Sequence, residues 1–199
     1  MNDDTPGQEA PRTGTESRAH AIGEPAPSAG SSGAGRADPG VIDTPATRAV
    51  RSAGIPFDAV QTEPPRDPEE SARLQGIVLR SLLRSIVVRR GEDDYVFVLV
   101  PAGRRFDWPK LRALLGVNRL SLPDQEEAKA VTGYERGAIT PLGATHAWPV
   151  IADASIMDLP RIAIGGGRRG LNLHLSPADL VRATGADVAD VTSPEEATS

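Results

Sequence analysis

Sizeable apolar side chains are confined to Met1 and Ile22 over the first forty residues, and beyond them they arrive in runs whose spacing changes along the chain. Asp43-Thr44-Pro45 places a capping residue before a proline suited to the first helical position, which predicts a short helix through Ala46–Ser52 that stops at Gly54. Phe57–Gln61 reads as extended. Glu63-Pro64-Pro65-Arg66 then breaks the chain, and Asp67-Pro68-Glu69-Glu70 has the spacing of a second helix start. Gly76 interrupts this helix, while Val78, Leu79, Leu82 and Leu83 continue a helical stripe and predict helix up to Arg84. Ile86-Val87-Val88, a polar turn at Gly91–Asp94 and Tyr95–Val100 predict a hairpin whose second strand, apolar on both faces, is central in its sheet. Helices follow over Asp107–Leu115 and Asp124–Val131, stopped by Gly116 and Gly133. Strands are predicted at Pro149–Ala152, Arg161–Ile164 and Leu171–Leu175, and Ser176-Pro177-Ala178-Asp179 opens a last helix ending at Gly185. The irregular interleaving predicts an α+β fold, a single domain with a mixed, mostly antiparallel sheet surrounded by helices, and argues against a regular Rossmann wind.

Composition changes this picture at the ends. Residues 1–40 cannot bury enough apolar surface to offset their ordering entropy, so a disordered tail is expected there, a folded domain over 41–192 and a disordered C-terminus over 193–199. The acidic start and the lack of a long apolar run predict a protein without signal peptide or membrane span, read as cytoplasmic. With no cysteine and three scattered histidines, the chain offers no thiol nucleophile and no recognisable metal-ligand set. The net charge of -5 resides in the ends, because residues 1–40 hold six acids against three bases and residues 193–199 hold two acids. The nearly neutral remainder carries Arg89-Arg90, Arg104-Arg105 and Arg168-Arg169, which read equally well as local RNA-binding patches or as solvated strand ends.

Two glycine-rich segments are the candidates for chemistry. Gly165-Gly166-Gly167-Arg168-Arg169-Gly170 lacks the spacing of a nucleotide loop and lies between strands, so it is a hairpin turn or the wall of a pocket. Residues 132–143 form a loop without periodicity, whose backbone amides could serve as donors to a developing oxyanion. His174 alternates with leucines and is expected at the surface or at a pocket rim, His146 is placed in the loop beyond with the lining of a pocket as an alternative, and Trp108 and Trp148 are read as packing residues.

Taken in order, Thr44-Pro45-Ala46-Thr47-Arg48, Arg84-Ser85-Ile86-Val87-Val88, Leu120-Ser121-Leu122-Pro123-Asp124, Thr132-Gly133-Tyr134, Gly137-Ala138-Ile139-Thr140-Pro141-Leu142-Gly143 and Gly166–Leu171 followed by Leu175–Leu180 resemble the YbaK/EbsC family of aminoacyl-tRNA deacylases. That family includes the inserted editing domain of bacterial prolyl-tRNA synthetases. The resemblance spans Thr44–Val191 and implies hydrolysis of the ester of a mischarged tRNA without metal or organic cofactor. It implies catalytic roles for Arg84 and for the GxxxP loop, with Gly137, Ala138, Thr140 and Pro141 named from it, and attack assisted by the 2′-hydroxyl or side chain of the substrate. Ser85, Tyr134, Gly165, Gly166 and Arg168 are the implied substrate-binding residues. The implied partners are the acceptor end of an aminoacyl-tRNA and an aminoacyl-tRNA synthetase, with no membrane and no DNA. The chain departs from the family at Arg84-Ser85, where Lys-Thr is usual. Arginine keeps the charge but not a compact or deprotonatable amine. A second expectation therefore stands beside the first, a catalytically silent module that binds a tRNA 3′ end, a nucleotide or a protein partner.

Overall fold

The computed structural model describes residues 42–195, so the tail expected over residues 1–40 and the final residues 196–199 lie outside the described range. The helix α1 (Pro45–Ser52) opens on a reciprocal cap in which Thr47 N–H donates to Thr44 Oγ1 (3.1 Å) and Thr44 N–H to Thr47 Oγ1 (2.9 Å). After β1 (Asp58–Gln61) comes α2 (Pro68–Gln75), capped by Asp67 and ended by Gly76 in the left-handed conformation. The helix expected to run on to Arg84 does not form. A 3-10 turn at Leu79–Ser81 leads instead into β2 (Leu83–Gly91), and the apolar stripe serves separate neighbours. Leu79 and Leu82 pack with Ala102 and Ala163, Leu83 joins the main core, and Val78 is 59% exposed.

β2 pairs antiparallel with β3 (Asp94–Pro101), which pairs in parallel with β5 (Val150–Asp153), and β5 in turn with β8 (Asp187–Ala189). β3 is central, as its two apolar faces require. Tyr95, Phe97 and Leu99 face a core shared with α1 and with Leu180 of α5 (Pro177–Thr184), while Val96, Val98 and Val100 pack on Leu111 of α3 (Trp108–Leu115). A second, antiparallel sheet has the order β1, β7 (Leu171–Leu175), β6 (Ile162–Gly165). α4 (Gln125–Thr132) precedes the loop that leads to β5. No helix among the described residues is long and apolar enough to cross a membrane.

β4 (Arg104–Phe106) pairs with β9 (Thr192–Pro194), so Ser193 and Pro194, expected to belong to a disordered end, form a strand instead. Asp153 anchors this ribbon. Its carboxylate is 1% exposed and accepts from Thr192 Oγ1 (2.7 Å), Val191 N–H (3.2 Å), Ser155 N–H (3.1 Å) and the Ser155 hydroxyl. Burial opposes its ionisation, but these hydrogen bonds outweigh burial and hold its pKa below the ordinary value.

The two sheets meet at one parallel bridge, Leu82 with Ala163. β2 and β6 do not continue pairing beyond it, and the sheet opens there into a wedge.

Candidate active site

A cavity of about 870 Å³ occupies the wedge. One wall is the start of β2, Leu82–Ile86. A second comprises Arg136, Gly137 and Ile139 with Gly165 and Gly170–Asn172. The third comes from the N-terminal end of α2 and from Leu122–Gln125 with Ala128. Most of the lining side chains are apolar, which suits a site where a few polar groups fix the orientation of a ligand.

The loop behind the second wall is held by steric closure. Gly143, at φ 67°, lies so close to α1 that a Cβ would meet Pro45 O at 2.3 Å. A Cβ on Gly165 would meet Ile139 O at 3.1 Å, and one on Gly170 would meet Thr62 O at 2.5 Å. Tyr134 ties the two glycine-rich segments together. Its hydroxyl donates to Leu142 O (2.8 Å), its ring lies against Gly167, and burial pushes its pKa up to about 12, so it remains a donor. Thr44 Oγ1 donates to Gly166 O (2.7 Å), which joins the cap of α1 to the same segment. Of the loop amides, Ala138 N–H bonds Glu135 O (2.9 Å), while those of Gly137 and Ile139 on the cavity wall meet no acceptor among the described residues.

Of the residues singled out in the sequence, Arg84, Ser85, Gly137 and Gly165 line the cavity together. Ser85 Oγ is buried without a hydrogen-bond partner. Arg84 Nε is likewise buried and unpartnered, and the far end of the guanidinium turns to the β4–β9 ribbon, where it donates to Arg104 O and lies 3.5 Å from Glu195. Ala138, Thr140, Pro141, Tyr134 and Gly166 lie behind the wall, and all of these but Pro141 are buried. Arg168 is exposed and donates to Gln61 Oε1 (2.6 Å). His174, expected at the surface or a rim, is buried and bonds Gln75 Oε1 (2.8 Å), because the face of β7 opposite its leucines is covered by α2. His146 stacks on Trp148 away from the cavity, and Trp148 packs on Tyr95. Arg136 and Asn172 were not anticipated. The one precedes the GxxxP loop directly, and the other is the polar residue between leucines in β7. Among the described residues no group of three or more His, Cys, Asp or Glu side chains could hold a metal ion.

The family model described as aminoacyl-tRNA editing domain matches residues 62–183, a span that contains the cavity. Among curated proteins the chain is similar to EbsC of Enterococcus faecalis, a candidate Cys-tRNA(Pro)/Cys-tRNA(Cys) deacylase, with 23% identity over 76% of this chain and 94% of that one. It is 30% identical to the proline–tRNA ligase of Thermosipho melanesiensis over 63% of this chain, and spans only 22% of that larger enzyme. Among solved structures, a candidate trans-editing enzyme for prolyl-tRNA synthetase superposes with a TM-score of 0.70 and 26% identity, covering 76% of this chain and 99% of the other.

Proposed function

The chain belongs to the aminoacyl-tRNA editing domain family, and from that premise we propose that it is a trans-editing deacylase that hydrolyses the ester of a mischarged tRNA with neither metal nor cofactor. Aminoacyl-tRNA hydrolysis is the activity class of the fold and family. The finer mechanism is supported chiefly by one observation, the buried and unpartnered Ser85 Oγ and Arg84 Nε on the wall of a cavity that Gly137 and Ile139, whose amides have no acceptor among the described residues, also line.

In this reading the aminoacyl group enters the wedge and its ester carbonyl lies against the Gly137–Pro141 loop. A water adds to the carbonyl carbon, and the charge that develops on the carbonyl oxygen is met by the Gly137 and Ile139 amides, already oriented by the closed packing behind them. The C–O bond to the ribose then breaks. The departing ribose oxygen takes up the proton that the water has lost, relayed by the neighbouring hydroxyl of the substrate, and free amino acid and tRNA leave. Ala138, Thr140 and Pro141 shape the loop, while Tyr134 and Gly166 keep the two segments in register. Gly165 backs the carbonyl site, Ser85 gives a hydrogen bond to the bound aminoacyl end, and Arg168 lies outside with the RNA. Arg84 contributes charge and its free Nε–H from the β2 wall. The synthetase that produces the mischarged tRNA is the proposed further partner.

The test is a deacylation screen of the purified protein against a panel of mischarged tRNAs, with and without chelator. Hydrolysis of at least one ester that survives chelation is expected. Arg84→Ala should lower the rate about tenfold to a hundredfold, the equivalent of about 1.5–3 kcal/mol for a hydrogen bond to a charged group, and Arg84→Lys should keep or raise it. The engaged outer end of Arg84 favours a second reading, the silent binding module. That reading prevails if wild type and Arg84→Lys hydrolyse nothing while a tRNA end still binds.

A further inference from the structure

Most cations of the described fold are neutralised in place. Arg48 pairs with Asp43, Arg66 with Glu70, Arg89 with Glu127, Arg90 with Asp94, Lys110 with Asp190 and Arg161 with Asp58. Arg136, Arg168 and Arg169 differ. All three are exposed, and no carboxylate among the described residues comes within ion-pair distance of them. They are also gathered at one place. Arg136 lines the cavity beside Gly137, Arg169 Nε donates to Arg136 O (3.2 Å) and lies against Gly137, and Arg168 is braced by Gln61 at the end of β1. Glu135, the acid adjoining Arg136 in sequence, is occupied by Lys129 at 2.6 Å, which, with a smaller contribution from Arg169, holds its carboxyl below the usual range. Across the mouth, Asp67 and Asp124 spend their carboxylates on the first turns of α2 and α4.

We propose that Arg136, Arg168 and Arg169 form a phosphate anchor at the cavity rim that holds the last nucleotides of an RNA chain, so that the site takes an aminoacylated polynucleotide in preference to an aminoacyl nucleoside. The proposal rests on the reading that the cavity receives the aminoacyl end. Three unpaired guanidinium groups in a short arc leave unspent charge that a ligand with successive anions can neutralise, and the planar fork of arginine suits phosphate oxygens. Because Arg169 bonds the backbone that presents Gly137, the anchor and the carbonyl site are parts of one rigid assembly. Phosphates held on the arc therefore set how far the ester reaches into the wedge.

Binding of an uncharged, fluorescently labelled tRNA transcript to the full chain, followed by anisotropy, tests this without any turnover. Three phosphate contacts to a single strand give a salt slope of about -2, so raising salt from about 50 to about 200 mM should weaken binding by the native protein about 20-fold. Arg136→Ala/Arg168→Ala/Arg169→Ala should bind about as weakly at low salt as the native protein does at high salt, and its affinity should change less than about twofold over that range. Arg80→Ala/Arg112→Ala/Arg182→Ala removes the same charge at positions that do not line the cavity and should retain most of the affinity and the slope. Melting curves confirm that both variants are folded. Equal losses in the two triple variants would reduce the effect to net charge and overturn the anchor, as would an unchanged affinity in the first. Neither result depends on whether the protein hydrolyses an ester, so the anchor and the deacylase reading can fail separately.

Discussion

Gly143→Ala probes the seating of the candidate oxyanion loop directly. The added Cβ would lie 2.3 Å from Pro45 O, 2.5 Å from Pro45 C and 3.0 Å from Ala46 N, all backbone atoms of the first turn of α1. That turn cannot yield cheaply, since it is fixed by the Thr44–Thr47 cap and by Thr44 Oγ1 on Gly166 O. A left-handed alanine costs about 1–2 kcal/mol by itself, and a forced backbone shift adds about 1–3 kcal/mol. The sum of about 2–5 kcal/mol corresponds to a fall in Tm of about 5–20 °C for a domain of this size. Gly116→Ala supplies the control, because Gly116 has nearly the same φ, 66°, with open space for 4 Å around the point where its Cβ would stand, and it should lose only the conformational part. Activity should fall further than stability. A displacement of about 1 Å at a reacting centre can cost about a hundredfold, so kcat/KM at a temperature where both variants are folded should fall by that order in Gly143→Ala and stay within twofold in Gly116→Ala. If the two variants melt together and retain equal activity, the loop is not seated on α1 and the argument for rigid amides fails.

Ser85→Ala should leave Tm unchanged or raise it by a few degrees, since it removes a buried hydroxyl without a partner, and should lower kcat/KM on an aminoacyl-tRNA; a clear loss of stability would show that the hydroxyl is satisfied by water and not reserved for substrate. Asp153→Ala should cost about 3–5 kcal/mol in urea unfolding, because it strands Arg104 and the donors of the ribbon. Its depressed pKa gives a pH signature: the stabilisation is complete above the unfolded value of about 3.9 and is lost as pH falls through the folded value, so native stability should decline below about pH 4 with a slope that Asp153→Asn reduces. An unchanged slope in Asp153→Asn would assign the acid limb to other carboxylates.

The parts of the fold legible in the sequence are those with a local physical cause. Thr44, Asp67, Asp124 and Ser176 cap helices because each offers a side-chain oxygen to an amide three residues on, and β3 reads as central because both its faces are apolar. The stripe at Val78–Leu83 misled because its spacing fits a helix, whereas its neighbours are supplied from Ala102, Ala163 and the main core. β4, β8 and β9 are three residues each and are defined by pairing partners far away in sequence, for which no local pattern exists. The candidate site divides in the same way. The glycine-rich segments drew notice through composition, but the direction of Arg84 depends on strand parity that the helical reading hid, and the convergence of Arg136 with Arg168 and Arg169 depends on two loops meeting in space.

The walls of the cavity differ in their tolerance for change. On the side of the proposed carbonyl site, Gly143 and Gly170 leave no room for a new side chain and Gly165 leaves little, and the donors proposed there are main-chain amides that no substitution can alter chemically. On the opposite side, Leu122, 52% exposed, and Ala128 present replaceable side chains to the same space. Under the proposed mechanism, selection could rework which amino acid is admitted through Leu122 and Ala128 while leaving the proposed hydrolytic loop intact. A lineage of such proteins can diversify its clientele without reinventing its chemistry.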